Sequence, residues 1–214
     1  MLATAAMRRA CTRTLCASPR VMRPTSQPTL SFDPSAKTAM DKQEPPAPGA
    51  DFRVVIVGAG NINFGSDEGP WNHSFRLEHK LGPRLKVVAL IDPDAERARR
   101  VLKTKCQSFV LSAYKDTVVY PTFKDYMASV CAETYPHAVW VGSPPAFRGG
   151  TEPGRNLEQL LTAGLPNVPL FIEKPVSTGA VDQTFEVAKM LEQNGSLVSV
   201  GYMLRYLKVV QKMK

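Results

Sequence analysis

"RVVIVGAG", residues 53–60, decides how the rest of the chain is read. Four consecutive β-branched residues, Val54 to Val57, cannot alternate between a core face and a wet one. They read as a strand buried on both sides, the kind that parallel sheets contain. Gly58 and Gly60 stop the run, and the pattern then recurs. "LKVVALID" (85–92), "HAVWVGS" (137–143), "VPLFIE" (168–173) and "SLVSVG" (196–201) are further short apolar runs. Helical patterns separate them: a stretch around Asn72 to Leu81 closed by Gly82 and Pro83, then "PDAERARRVLKTK" (93–105) with Pro93 in its first turn. "TFKDYMASVCAE" (122–133), "RNLEQLLTAG" (155–164) and "VDQTFEVAKMLEQNG" (181–195) follow, the last with Val181, Phe185 and Ala188 on the face expected to pack. Strands that alternate with helices and show no internal repeat predict an α/β fold, a doubly wound parallel sheet covered on both faces.

Outside this region the composition changes. Of the chain's 214 residues 43% are apolar, enough for one substantial core, and no apolar run reaches membrane-spanning length. The net charge of +8 suggests nucleic acid until it is located. Residues 1–40 carry Arg8, Arg9, Arg13, Arg20, Arg23 and Lys37 against Asp33 alone, so most of the excess belongs to the leader. Its bases are not interleaved with aromatic residues and no nucleic-acid reading motif appears, which argues against a nucleic-acid partner. Rich in Arg, Ser and Thr, the leader has the composition of a mitochondrial transit peptide; the alternative is an idle tail, with Met40 as the start of a cytosolic form. The expected location is therefore the cytoplasm or the mitochondrial matrix. From Lys42 to Ala50 the chain is Pro-rich linker. The domain reading is a leader and linker over 1–50, a nucleotide-binding domain over 51–201, and the start of a second domain over 202–214. Cys11, Cys16, Cys106 and Cys131 have neither disulfide-like nor metal-ligand spacing; two fall in the leader, and two are expected as small core residues.

In doubly wound sheets ligands bind beyond the carboxyl ends of the strands, so the residues just after each apolar run carry the functional reading. After the first come Gly58 and Gly60, suited to a tight turn and to close approach of backbone N–H groups to a pyrophosphate. The third glycine position of G-x-G-x-x-G falls on Asn63, with a glycine only at Gly65, which implies looser packing of helix on strand. An ordinary strand-ending turn is the alternative. After the second run comes Asp92, placed to accept from ribose hydroxyls or, more plainly, to cap the helix after it. It stands further from Gly58 than the usual fingerprint spacing, and the insertion "SDEGPWNHSF" (66–75) accounts for the excess. A carboxylate here favours NAD over NADP, while Arg97 and Arg99 leave NADP open. "GSPPAF" (142–147) offers a rigid platform of Pro144 and Pro145, with Ser143 as a donor to phosphate or ribose; a stiff turn is the plain alternative. "EKP", Glu173 to Pro175, sets an acid and a base at the mouth of a core strand, where Lys174 would hold a nicotinamide ribose or serve in proton transfer. A solvated ion pair is the competing reading.

Taken in order, "VVIVGAGNI", "VALIDPDAERAR", "AVWVGSPP", "FIEKPVS" and "VSVGYMLRY" resemble the nucleotide-binding half of the Gfo/Idh/MocA oxidoreductases over about residues 52–214. The resemblance implies a Rossmann fold in which Gly58, Gly60, Asn61, Ile62 and Asp92 contact the dinucleotide, and Ser143, Pro144 and Pro145 lie along it. It further implies that Glu173 and Lys174 approach the nicotinamide, with Lys174 catalytic, that Arg205 opens the second domain, and that "YMLRYLKVVQKMK" (202–214) is the helix crossing into it. Family members continue with a domain that walls the substrate and forms the oligomer interface, so a homo-oligomer is expected where that domain is present. Here the sequence stops at Lys214, which reads as a fragment or a natural truncation, and Met203, Leu204, Leu207 and Val210 would be left as an uncovered apolar stripe. His73, His79 and His137 read as surface or packing residues, and no metal site is expected. The function implied is hydride transfer between NAD, or NADP, and a sugar, polyol or similar small hydroxyl compound. A dinucleotide-binding regulator without catalysis is the alternative.

Overall fold

The computed structural model describes residues 46–67, 69 and 71–213. The leader, with Met40, Cys11 and Cys16, lies outside the described residues. Six strands form one sheet: β1 Phe52–Val57, β2 Leu85–Ile91, β3 Val118–Tyr120, β4 Ala138–Val141, β5 Leu170–Ile172 and β6 Val198–Val200. Their order is β3-β2-β1-β4-β5-β6 and every neighbouring pair is parallel. The chain winds outward from β1 in one direction and then returns to β4 on its other side, so β1 and β4 flank the switch point where such sheets open a crevice.

The connecting helices are α1 Asn61–Phe64, α2 His73–Leu81, α3 Ala95–Cys106, α4 Leu111–Tyr114, α5 Phe123–Met127, α6 Leu157–Gly164, α7 Val181–Gln193 and α8 Lys208–Lys212. Because β1 is buried on both sides, its residues divide between two cores. Val54 and Ile56 pack with Leu77 of α2, Ala98 and Leu102 of α3, and Ala113 and Tyr114 of α4. Val55 and Val57 pack with Phe123 and Tyr126 of α5, Leu161 of α6, and Val187 and Leu191 of α7. This is the α/β doubly wound Rossmann architecture that the alternation predicts.

Several details differ from the sequence reading. Helix α3 begins at Ala95 with Asp94 as its cap, accepting from the Arg97 N–H, so Pro93 stands before the cap rather than in the first turn. The helix expected over 122–133 ends at Met127; beyond it the Thr134 hydroxyl accepts from the Cys131 N–H and the Tyr126 hydroxyl donates to the Thr134 carbonyl, which folds the chain back. Cys131 is exposed and not the core residue expected, while Cys106 is half-buried and packs against the edge of the core. The expected packing face of α7 is the outward one: Val181 and Phe185 are 71% and 70% exposed, while Val187 and Leu191 meet the sheet. No continuous helix spans 202–213. Met203–Tyr206 is a single 3₁₀ turn, Leu207 is extended, and α8 follows, with Met203, Leu204 and Leu207 exposed.

Candidate functional site

Each candidate residue follows the carboxyl end of a strand, so strand order fixes which of them meet. After β1 the chain turns at Gly58, whose φ of 95° belongs to the left-handed region. A Cβ there would lie 3.0 Å from the Ser143 nitrogen, so the loops after β1 and β4 touch backbone to backbone. Gly60 caps α1 with φ −78° and ψ 176°, a conformation open to any residue. Among the described residues a Cβ at Gly60 would meet nothing within 4 Å. Nothing in the protein's own packing asks for glycine at 60, whereas a ligand lying against its backbone would. Asn61 and Ile62 open α1, Asn61 exposed and Ile62 half-buried.

Asp92, 2% exposed, holds this loop. Its Oδ2 accepts from the Ala59 N–H at 2.6 Å. Oδ1 accepts from the Asp94 N–H at 2.8 Å and from Arg97 Nη2 at 2.7 Å. The plain reading of Asp92 as helix cap is thus displaced by Asp94, and Asp92 instead joins the ends of β1 and β2. An ionised carboxylate offers about four acceptor sites, and three of these are engaged.

Asn63, at the third fingerprint position, is fully buried. Its Nδ2 donates to the Val57 carbonyl at 3.1 Å and the Gly58 carbonyl at 2.7 Å. Helix and strand are therefore bound by the amide rather than loosely packed. A Cβ at Gly142 would collide with the Asn63 amide, which explains the glycine that ends β4.

After β4, the Ser143 hydroxyl is buried without a hydrogen-bond partner among the described residues, and Pro144 leads into a 3₁₀ turn, Pro145–Phe147. Sequence reasoning missed what holds this platform. Arg148, 1% exposed, donates from Nε to the Ser143 carbonyl and from Nη1 to the Val176 carbonyl, each at 3.0 Å, tying the proline loop to the segment after Pro175. Burial lowers the Arg148 pKa from its ordinary value, while the charges of Glu158 and Glu173 oppose that shift. Glu158 is buried as well, accepting from the Gly149 N–H at 2.9 Å, and burial pushes its carboxyl upward. No motif marks either residue.

After β5, the acid and base of EKP part company. Lys174 is exposed, and its bond to Pro175 is cis. Glu173, 6% exposed, turns inward to His73, with Nε2 and Oε1 3.0 Å apart. A carboxylate only accepts, so the His73 Nε2 carries the donated proton. The imidazole lies 5.4 Å from the Trp140 ring and 5.1 Å from the Phe171 ring, and those two rings stack at 3.9 Å. Burial lowers the His73 pKa and Arg76 adds to the effect; Glu173 pulls the other way. Arg76 Nη1, 3.5 Å from Nδ1, disfavours a proton there. The solvated ion-pair reading of EKP is thus replaced by a buried carboxylate and imidazole, and the Glu173 Oε2 has no partner among the described residues. His73 is more than a packing residue, and its only sequence signal is its place in the insertion, one residue past the Asn72 cap.

The structure therefore brings together the loops after β2, β1, β4 and β5, carrying Asp92, Gly58, Gly60, Ser143 and Glu173. Arg205 stands apart, after the edge strand β6, exposed and 5.9 Å from the centroid of the Tyr206 ring. A groove of about 540 Å³ lined by Phe52, Val54, Leu77, Leu81, Ala138 and Trp140 includes none of the candidate residues and no acid. Among the described residues no acid, histidine and cysteine group is arranged to hold a metal, and no helix is long and apolar enough to cross a membrane.

The family described as an oxidoreductase family with an NAD-binding Rossmann fold, GFO_IDH_MocA, matches residues 52–202. An uncharacterised protein of Schizosaccharomyces pombe is 44% identical over 168 residues, covering 78% of this chain and 44% of its own length. A second from the same yeast is 44% identical over 175 residues, covering 80% and 43% respectively. The chain thus spans less than half the length of these relatives. Among solved structures, the WlbA dehydrogenase of Chromobacterium violaceum, in complex with NADH and UDP-GlcNAcA, superposes with a TM-score of 0.55 at 17% identity, over 80% of this chain and 41% of that one. The super-repressor mutant of Gal80p from Saccharomyces cerevisiae gives 0.55 at 17% identity, over 76% and 37%. At that identity these two speak for the fold alone. With the family match running from the start of β1 to just past β6, the chain belongs to the Gfo/Idh/MocA oxidoreductase family, and residues 52–202 are its NAD-binding Rossmann domain.

Proposed function

We propose that these residues form the cofactor half of a dehydrogenase that moves a hydride between a nicotinamide dinucleotide and the carbinol carbon of a sugar, polyol or similar hydroxyl compound. The observation that carries the reading is the pairing of open space at Gly60 with a buried, partnerless Ser143 hydroxyl, in loops that touch at Gly58. Protein packing explains neither feature, and a bound pyrophosphate with its ribose explains both. Backbone N–H groups from Gly60 through Ile62 would take the pyrophosphate, and the remaining acceptor site of Asp92 would take a ribose hydroxyl. Ser143, on the Pro144–Pro145 platform, would donate along the cofactor. When bound, the nicotinamide supplies the hydride acceptor or donor. Lys174, exposed at the crevice, would hold the substrate hydroxyl and exchange its proton. A sugar-like or polyol substrate accords with the fold neighbours named for such compounds, WlbA with its bound UDP-GlcNAcA and myo-inositol 2-dehydrogenase of Lactobacillus plantarum, with a TM-score of 0.50.

We assign NAD as the cofactor because the Asp92 carboxylate would repel a ribose phosphate; Arg97, paired to it at 2.7 Å, offsets part of that charge. Calorimetric titration of the 214-residue chain with NAD(H) and NADP(H) tests the proposal. The expected result is micromolar binding of NAD(H), weaker binding of NADP(H), and in Asp92→Asn a loss of NAD(H) affinity that narrows the gap between the two cofactors. A folded chain that binds neither refutes it. Binding without turnover of any sugar or polyol would move the regulatory reading ahead.

A further inference from the structure

Resting on the dinucleotide reading above, the geometry points to His73 as a positioning residue that holds the EKP segment, and through it Lys174, against the nicotinamide end of the site. Lys174 is exposed, so its backbone is fixed by its neighbours, Glu173 before it and Pro175 after. Glu173 is locked on two sides. His73 donates to its Oε1 at 3.0 Å. On the other side a Cβ at Gly201 would stand 3.0 Å from the same oxygen and 3.2 Å from the Phe171 ring, so the carboxylate already fills the space that only a glycine leaves. His73 is itself held, 6% exposed, against the rings of Trp140 and Phe171.

Its backbone is anchored to the glycine-loop segment. Asn72 donates from Nδ2 to the Phe64 carbonyl, the last residue of α1, at 3.1 Å, and its Oδ1 accepts from the Phe75 N–H at 2.9 Å and the Ser74 hydroxyl at 2.7 Å. A connected path of hydrogen bonds and one shared backbone therefore runs from α1, where the pyrophosphate would sit, through Asn72 and His73 to Glu173 and Lys174. The insertion that upsets the fingerprint spacing supplies the middle of that path. A packing histidine would need neither the donor at Nε2 nor the link to Phe64.

Two ligands and two variants separate positioning from mere stability. NADH reports the whole site and ADP its adenosine end alone. In His73→Gln the side-chain amide falls where Nε2 stands and keeps the donor; in His73→Asn it falls near Nδ1 and cannot reach Glu173. With the 214-residue chain, His73→Asn is expected to weaken NADH by about tenfold, the loss of one charge-assisted hydrogen bond, while ADP stays within about twofold and His73→Gln binds both ligands as the wild type does. In the wild-type chain, NADH but not ADP should move the ¹⁵N shifts of the His73 ring, a readout that no variant's folding affects. Equal losses for the two ligands, identical behaviour of the two variants, or unmoved His73 shifts with NADH bound would overturn the positioning role and leave the dinucleotide site standing. Failure of the wild type to bind either ligand would instead sink the dinucleotide reading and this inference with it.

Discussion

Alanine at Gly60 should leave the protein as stable as before, or slightly more so, while removing dinucleotide binding; alanine at Gly58, two positions earlier, should cost both. The difference follows from the backbone. Gly60 has φ −78° and ψ 176°, and its added methyl meets nothing within 4 Å. Restricting the unfolded chain there is worth about 0.4–1 kcal/mol in favour of folding, or a rise of roughly 1–4 °C for a domain of this size. Gly58 has φ 95°, and its methyl would sit 3.0 Å from the Ser143 nitrogen and 3.1 Å from the Gly142 carbonyl carbon. The left-handed conformation costs a non-glycine residue about 1–2 kcal/mol, and forcing two backbones apart adds about as much again. Urea unfolding followed by circular dichroism reads the stability, and calorimetric titration with NADH reads the site. If a pyrophosphate lies on Gly60, the methyl occupies its place and affinity falls at least about tenfold. Wild-type affinity in a stable Gly60→Ala protein would refute the phosphate cradle; a Gly60→Ala protein as unstable as Gly58→Ala would refute the loop geometry from which the argument starts.

Arg148→Met should destabilise the domain by about 3 kcal/mol, since it frees the Ser143 and Val176 carbonyls and leaves Glu158 without its nearby cation. Adding Glu158→Gln should recover part of that loss, and a urea midpoint that Arg148→Met barely moves would show the clamp to be idle. For pH, burial lowers the folded His73 pKa below the 6.5 of a free ring, so the unfolded chain takes up a proton that the folded one resists. The stability this group contributes is present above pH 6.5 and is lost as pH falls through the lowered folded value, with a slope of at most about 1.4 kcal/mol per pH unit. His137, also lowered by burial, acts with the same sign. Urea midpoints between pH 5 and 7.5 should therefore decline towards acid in the wild type and decline less in His73→Gln; equal slopes would mean that His73 titrates normally.

The fold is legible where sequence and burial agree residue by residue. Val54 to Val57 are all buried, as an unbroken β-branched run demands when both faces of a strand are covered. Legibility fails where two patterns compete in one segment. Helix α7 carries one apolar stripe through Val181, Phe185 and Ala188 and another through Val187 and Leu191, and both have helical period. Which stripe faces inward is set by the sheet beneath, and that is long-range information. Strand β3 escaped notice because it has three residues and its first, Val118, is 44% exposed. The candidate site divides in the same manner. Loops at strand ends announce themselves through glycine and proline, so Gly58, Gly60, Asp92, Ser143 and the EKP segment could be named in advance. Arg148, Glu158 and His73 could not, because each earns its place from a partner distant in sequence: Val176 for Arg148, and for His73 a glutamate 100 residues away.

Asn63 shows how a motif can fail in spelling and survive in shape. The third glycine of the fingerprint lets a helix lie close to the strands beneath it. Asn63 has a side chain in that space, so something opposite must give way, and the residue that does is Gly142 at the end of β4, where any Cβ would strike the amide. The need for glycine has moved from helix to strand. In exchange Nδ2 binds the carbonyls of Val57 and Gly58, fixing the turn that presents the Ala59 N–H to Asp92. Among the described residues the Asn63 Oδ1 is buried without a hydrogen-bond partner. Helix α1 is short, and its end is shaped by Gly65 and Asn72. After four helical residues the chain turns at Gly65 with φ 90°, and a Cβ there would stand 2.6 Å from Asn72 Nδ2, so the Asn72 side chain closes over the glycine as it donates to Phe64. The break in the helix and the insertion behind it are thus parts of one arrangement. It begins at Gly65, where α1 stops under the Asn72 side chain, and ends by delivering His73 to Glu173.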